Sequence, residues 1–135
     1  MLQRMNHPLL SFTARVVSGS GRGKDIGAAT MNVDLSDVPK DLEEGIFAVM
    51  VNVDGKDLKA AMHYGPRPVF QDSKSCEVHV IDEVILHAPH TIEVTIVERL
   101  RDVTDFPSKD ALMEQITKDV EQARGILEAH GHSST

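Results

Sequence analysis

The sequence is poor in the residues that would mark several classes of function. It has no tryptophan and one tyrosine, and aromatic residues make up 4% of the chain. That counts against a surface stacking nucleic-acid bases on aromatic rings. The single cysteine, Cys76, excludes an internal disulfide and fits a reducing compartment. No stretch approaches the roughly 20 apolar residues of a membrane-spanning helix, and Met1 to Leu10 lack the apolar run of a signal peptide. No long run of lysine or arginine occurs either. With 14 basic against 21 acidic residues the formal net charge is −7, and so acidic a chain repels a phosphate backbone. Nucleic acid and membrane are therefore not expected as partners, and a cytoplasmic location is. Zinc is disfavoured, because no Cys-x-x-Cys or His-x-x-x-His spacing occurs. A nucleotide ligand survives these exclusions, since a small phosphate site can rest on backbone amides and a metal ion.

What is present is the composition of one ordinary domain: 135 residues, 41% hydrophobic and 26% charged. A β-like run at Phe12–Val17 is closed by Gly19, Gly21 and Gly23. The polar segment from Asp25 to Glu44 reads as loop, with one short strand at Thr30–Leu35. Gly45 then opens the clearest strand, where Ile46, Val49, Val51 and Val53 are β-branched and Asp54-Gly55 signals a hairpin. The return strand is expected over Asp57–Tyr64. Gly65-Pro66-Arg67-Pro68 forces a rigid turn. In the strand Cys76–Asp82, Glu77, His79 and Ile81 share one face, and Val78, Val80 and Asp82 the other. Thr91–Leu100 alternates again.

The period then changes. Leu112, Ile116, Val120, Ala123 and Leu127 form one stripe of a helix. Ser108 is its natural N-cap, and Asp110 sits in its first turn, where the helix dipole favours a carboxylate. The tail from His130 is polar and expected to fray. Short antiparallel strands followed by one helix predict a small all-β barrel with the helix packed on it, and disfavour a doubly wound sheet. One domain is expected, with its core over residues 10–127.

Four segments carry chemical possibilities. In Gly19-Ser20-Gly21-Arg22-Gly23-Lys24-Asp25-Ile26-Gly27, glycines free the backbone to approach a phosphate, and Arg22 and Lys24 add positive charge. It is neither a Walker A loop nor a dinucleotide fingerprint; taken alone it also reads as a flexible hairpin loop. Thr30 and Asn32 offer hard oxygen donors on one strand face, suited to Mg²⁺ that keeps waters and phosphate oxygens, although such residues are commonly just turn formers. Glu77 could accept a proton from a substrate hydroxyl; the plainer reading of it alone is a solvated residue on the outside of a barrel. Arg99-Leu100-Arg101-Asp102 reads alone as a charged loop.

Their order is more telling than any one of them. Gly-x-Gly-Arg-Gly-Lys-x-x-Gly precedes Thr-x-Asn, then Gly45-Ile46-Phe47-Ala48-Val49, then Gly65-Pro66-Arg67-Pro68-Val69-Phe70, then Glu77-Val78-His79, then Leu100-Arg101. Phe106-x-Ser108 follows, with a helix holding Gln115-Ile116-x-x-Asp119 and Ala123-Arg124. The series resembles the riboflavin kinase family, as a free-standing domain or as the C-terminal half of bacterial bifunctional FAD synthetases, over residues 10–127. The resemblance implies a six-stranded antiparallel Greek-key barrel and ATP-dependent phosphorylation of the riboflavin 5′-hydroxyl to give FMN.

It also implies roles. Gly19, Gly21, Arg22, Gly23, Lys24 and Gly27 would belong to a flap over ATP, with Thr30 and His79 also on the nucleotide. Thr30 and Asn32 would serve Mg²⁺, Glu77 would be the catalytic base, and Arg101 and Phe106 would lie by the flavin. The expected protein is a monomer that does not itself make FAD. The sequence departs from the family's usual pattern. Gly-Phe-Pro-Thr-Ala-Asn becomes Gly27-Ala28-Ala29-Thr30-Met31-Asn32, Asn-Ile-Gly becomes His63-Tyr64-Gly65, and Val69 replaces a Thr. A Tyr and Gly expected after the Glu77 strand are absent from Leu86-His87-Ala88-Pro89-His90. These changes leave open a second reading, a barrel that binds flavin or nucleotide without turnover. A third is an interaction domain with no small ligand.

Overall fold

A computed structural model describes residues 10–17, 30–66, 74–85 and 87–133. Six strands and one long helix follow one another: β1 Leu10–Val17, β2 Thr30–Val33, β3 Gly45–Val53, β4 Lys56–Pro66, β5 Lys74–Val80, β6 Thr91–Arg101 and α1 Lys109–Ser133. The strands close into a barrel in the order β1-β2-β5-β4-β3-β6, and every pairing is antiparallel. Consecutive β3, β4 and β5 lie side by side, and β6 returns beside β3, which is a Greek key. The expected architecture is the observed one.

Local sequence explains most of this. Asp54 and Gly55 both have positive φ, 52° and 88°, so the tight β3–β4 hairpin uses the turn that Asp-Gly favours. Alternation divides each strand between two faces. Phe47, Val49 and Val51 from β3, Met62 from β4, Cys76, Val78 and Val80 from β5, and Val94 from β6 fill the barrel interior. The opposite faces of β3 and β4 carry Ala48 and Ala61, which join Ile81 beneath Ala123 and Leu127 of α1. Small alanines on the barrel wall allow the helix to approach closely.

The helix begins as its sequence implies, with the Ala111 amide donating to Ser108 Oγ at 3.1 Å. Its far half is tied to the barrel by Arg124, which donates to both carboxylate oxygens of Asp82 at 3.1 and 2.8 Å.

Several boundaries differ from expectation: β1 begins at Leu10, β4 runs from Lys56 through Gly65 to Pro66, where a turn was expected, β5 begins at Lys74 and β6 ends at Arg101. The helix runs on to Ser133, past the polar residues from 130. β2 stops at Val33, because the Asp34 carboxylate accepts from the Ser36 amide at 2.9 Å and starts a single 3-10 turn over Leu35–Asp37. β5 stops at Val80, because Asp82 turns into the left-handed region, φ 64°, and meets Arg124.

Candidate active site

The site is built on three adjacent strands. Across β2 and β5, Thr30 stands opposite His79 and Asn32 opposite Glu77. Across β5 and β4, Glu77 stands opposite His63. Met31, Val33 and Val78, the residues between, point into the core. By strand alternation, Thr30, Asn32, His63, Glu77 and His79 therefore share the outer wall of the barrel. Glu77 does lie on the outside, but it is not a solvated surface residue. The helix and residues 103–106 close over it, forming a cleft of about 100 Å³.

Glu77, His79 and His63 line this cleft together with Arg101, Phe106 and Asp119, and Ile46, Met62, Leu112, Ile116 and Val120 add apolar walls. An apolar slot with a few convergent polar groups is the usual form of a small-molecule site.

The polar groups are held in fixed relations. His79 Nδ1 lies 2.9 Å from Thr30 Oγ1, and its Nε2 3.9 Å from Glu77 Oε1. Burial lowers the His79 pKa below the ordinary histidine value, and the Glu77 carboxylate opposes that shift only in part. The ring is therefore neutral at pH 7. Ser75 Oγ donates to Glu77 Oε2 at 3.4 Å. Across the cleft, Arg101 makes a two-pronged ion pair with Asp119, Nε to Oδ1 at 2.9 Å and Nη2 to Oδ2 at 2.7 Å. Its Nη1 donates to the Asp102 carbonyl at 2.9 Å. Gln115 Nε2 donates to Asp119 Oδ1 at 3.0 Å, and the Arg101 guanidinium stands 5.9 Å from the centre of the Phe106 ring. One side of the cleft thus offers carboxylate, hydroxyl and imidazole, and the other a planar cation beside an aromatic ring.

A model of the riboflavin kinase family matches residues 7–127. The chain belongs to the riboflavin kinase family. It is 31% identical over 116 residues to the bifunctional riboflavin kinase/FMN adenylyltransferase of Buchnera aphidicola, covering 82% of this chain and 36% of that protein. It is 29% identical to the riboflavin kinase of Homo sapiens, covering 95% of this chain and 87% of that one. The chain thus spans about a third of the length of its bifunctional relatives. Among solved structures, a macrolide-efflux protein from Streptococcus pneumoniae is similar with a TM-score of 0.70 at 30% identity, covering 86% of this chain and 38% of the other. Riboflavin kinase from Trypanosoma brucei shares the fold with a TM-score of 0.57 at 20% identity, covering 91% and 82%.

Of the residues that the family resemblance singles out, Glu77, His79, Arg101 and Phe106 line the cleft, and Thr30 and Asn32 adjoin it on β2. Gly19, Gly21, Arg22, Gly23, Lys24 and Gly27 lie outside the described residues. Among the described residues no group of three or more His, Cys, Asp or Glu is arranged to hold a metal ion. The hydroxyl of Thr30 and the amide of Asn32, with Glu77 opposite, are instead the sparse oxygen donors that suit a cation keeping most of its shell as water and phosphate.

Two cleft residues, Asp119 and His63, stand in the quoted motifs without an expected role. Asp119 falls at three and four residues from Ile116 and Ala123, so an acid on the apolar stripe was a readable signal for it. For His63 the signals were its alternation with Met62 and Tyr64 and its place in His63-Tyr64-Gly65, where the family usually has Asn-Ile-Gly.

Proposed function

We propose that this chain transfers the γ-phosphoryl group of ATP to the 5′-hydroxyl of riboflavin, giving FMN. The observation that carries this reading is the register of three strands. Glu77 is flanked by Asn32 and, one pair along, by Thr30 and His79, on the wall of a cleft whose far side holds Arg101 and Phe106. A hydroxyl acceptor needs a base, and the phosphates need oxygen-liganded charge beside it.

Glu77 would take the proton of the riboflavin 5′-hydroxyl. Neutral His79 has Nε2 toward the Glu77 carboxylate, which favours a proton on that nitrogen. Its Nδ1 then accepts from the Thr30 hydroxyl, whose oxygen lone pairs are left for cation or phosphate. Thr30 and Asn32 would hold Mg²⁺, which when bound supplies charge neutralisation on the phosphates. Gly19, Gly21, Gly23 and Gly27 would let the backbone approach ATP, with Arg22 and Lys24 adding charge. Arg101, fixed by Asp119, and Phe106 would position the flavin ring. The protein is proposed to act as a cytoplasmic monomer.

The test is purified protein with riboflavin and MgATP, with FMN followed by chromatography. FMN is expected, with kcat lowered about 10²–10⁴-fold in Glu77→Gln. No FMN under any of several metals and nucleotides overturns the proposal. The second reading, a module that binds flavin without turnover, is favoured by one feature: Ala29 replaces the rigid Pro of the family's motif before Thr30. Quenching of flavin fluorescence with no FMN formed would select it.

A further inference from the structure

His63 Nδ1 is the one buried side-chain nitrogen or oxygen among the described residues that has no hydrogen-bond partner. The residue is 8% exposed and lines the cleft. Its other nitrogen, Nε2, lies 3.0 Å from the Pro66 carbonyl. A carbonyl can only accept, so Nε2 carries the hydrogen, and the tautomer with hydrogen on Nε2 has its lone pair on Nδ1. A buried acceptor left unmet is costly, and native structures carry few of them.

No polar side chain lining the cleft meets it: Thr104 makes no bond to it, and His79 has Nε2 toward Glu77. Glu77 and Asp119 are themselves acceptors, and Arg101 is committed to Asp119 and to the Asp102 carbonyl. The missing donor fits a ligand. His63 is the direct cross-strand partner of Glu77, and such partners have Cβ atoms about 4.5–5.5 Å apart. A hydroxyl held at the Glu77 carboxylate therefore has its neighbouring carbons within reach of the imidazole.

Resting on the reading above, we propose that His63 Nδ1 accepts a hydrogen bond from a second hydroxyl of the substrate's polyol chain, beside the one that Glu77 deprotonates. His63 is then a specificity-determining residue: it selects a hydroxylated chain over an apolar one on the same ring, because only the former supplies the missing donor.

The test is a fluorescence titration of wild type, His63→Leu and His63→Asn with riboflavin and with lumiflavin, which has the same ring but a methyl group in place of the polyol. Wild type is expected to prefer riboflavin. His63→Leu should lose about 10-fold of that preference through riboflavin alone, and His63→Asn, whose Oδ1 reaches about where Nδ1 stood, should recover most of it. As a check independent of variant folding, the ¹⁵N resonance of His63 Nδ1 in wild type should move on adding riboflavin but not lumiflavin. An unchanged riboflavin-to-lumiflavin ratio in His63→Leu, or a Nδ1 resonance indifferent to riboflavin, overturns this inference and leaves the kinase reading standing. If wild type binds neither flavin, the kinase reading fails and this inference fails with it.

Discussion

Thr30 Oγ1 lies 2.9 Å from His79 Nδ1, although the two residues are 49 positions apart in the chain. The contact pins the four-residue strand β2 to β5 by side chains as well as by backbone, and so holds Asn32 against Glu77. It also depends on the charge state of His79. A protonated ring would have to carry hydrogen on Nδ1 and reverse the bond.

The pKa of His79 is lowered in the folded protein, mainly by burial, from an ordinary value of 6.5. The unfolded chain therefore binds this proton more readily than the native one. Stability is full above pH 6.5 and falls as pH drops below it toward the folded pKa. Thermal melts between pH 5 and 7.5 should show this loss in the wild type and a shallower one in His79→Gln. Equal slopes for both proteins would contradict it.

Asp119 is only 7% exposed at its side chain, against 24% for its partner Arg101. Removing one member of a fully buried pair costs about 3–5 kcal/mol, and water reaching Arg101 softens that. Asp119→Ala should destabilise by about 2–3 kcal/mol in urea unfolding. Asp119→Asn, which keeps the packing and one acceptor, should lose less.

Gly45 is needed for space. A Cβ there would meet Arg101 O at 2.9 Å and Arg99 Nε at 2.6 Å. Arg99 donates to the Glu44 carbonyl and to Asp102 Oδ1 at 2.7 Å, so it cannot move aside without losing those bonds. Gly45→Ala should cost about 1–3 kcal/mol, read as a lower unfolding midpoint at unchanged m-value.

Cys76 is 1% exposed on the inward face of β5, and burial pushes its thiol pKa up to about 12. A neutral, enclosed thiol is unreactive. A disulfide reagent such as dithionitrobenzoate should leave the native protein unlabelled at pH 8 and titrate one thiol in denaturant. Rapid labelling of folded protein would mean that residue 76 does not face the core.

Much of the fold was legible because its signals are local. The Asp54-Gly55 turn, the alternation from Cys76 to Val80 and the Leu112-to-Leu127 stripe each depend on neighbours a few residues away. The Ser108 cap is of the same kind. The ends of β2 and β5 were less legible. Asp34 and Asp82 use their side chains against Ser36 and Arg124, and that competition does not appear in a hydrophobic period. In the site, Glu77, Thr30 and Asn32 could be named from the order of motifs, whereas His63 stood out only as a departure from the family's usual Asn, with no role attached.

By itself, the sequence determined which residues face inward and outward on each strand, because strand and helix periods are properties of the backbone alone. Only the tertiary structure decided that the outward faces of β2, β5 and β4 would lie side by side beneath the helix. Barrel closure sets the register between strands far apart in sequence, and that register places Asn32 and His63 on either side of Glu77. The same packing half-buries Glu77 and His79 and leaves one buried imidazole nitrogen beside them, that of His63, without a partner.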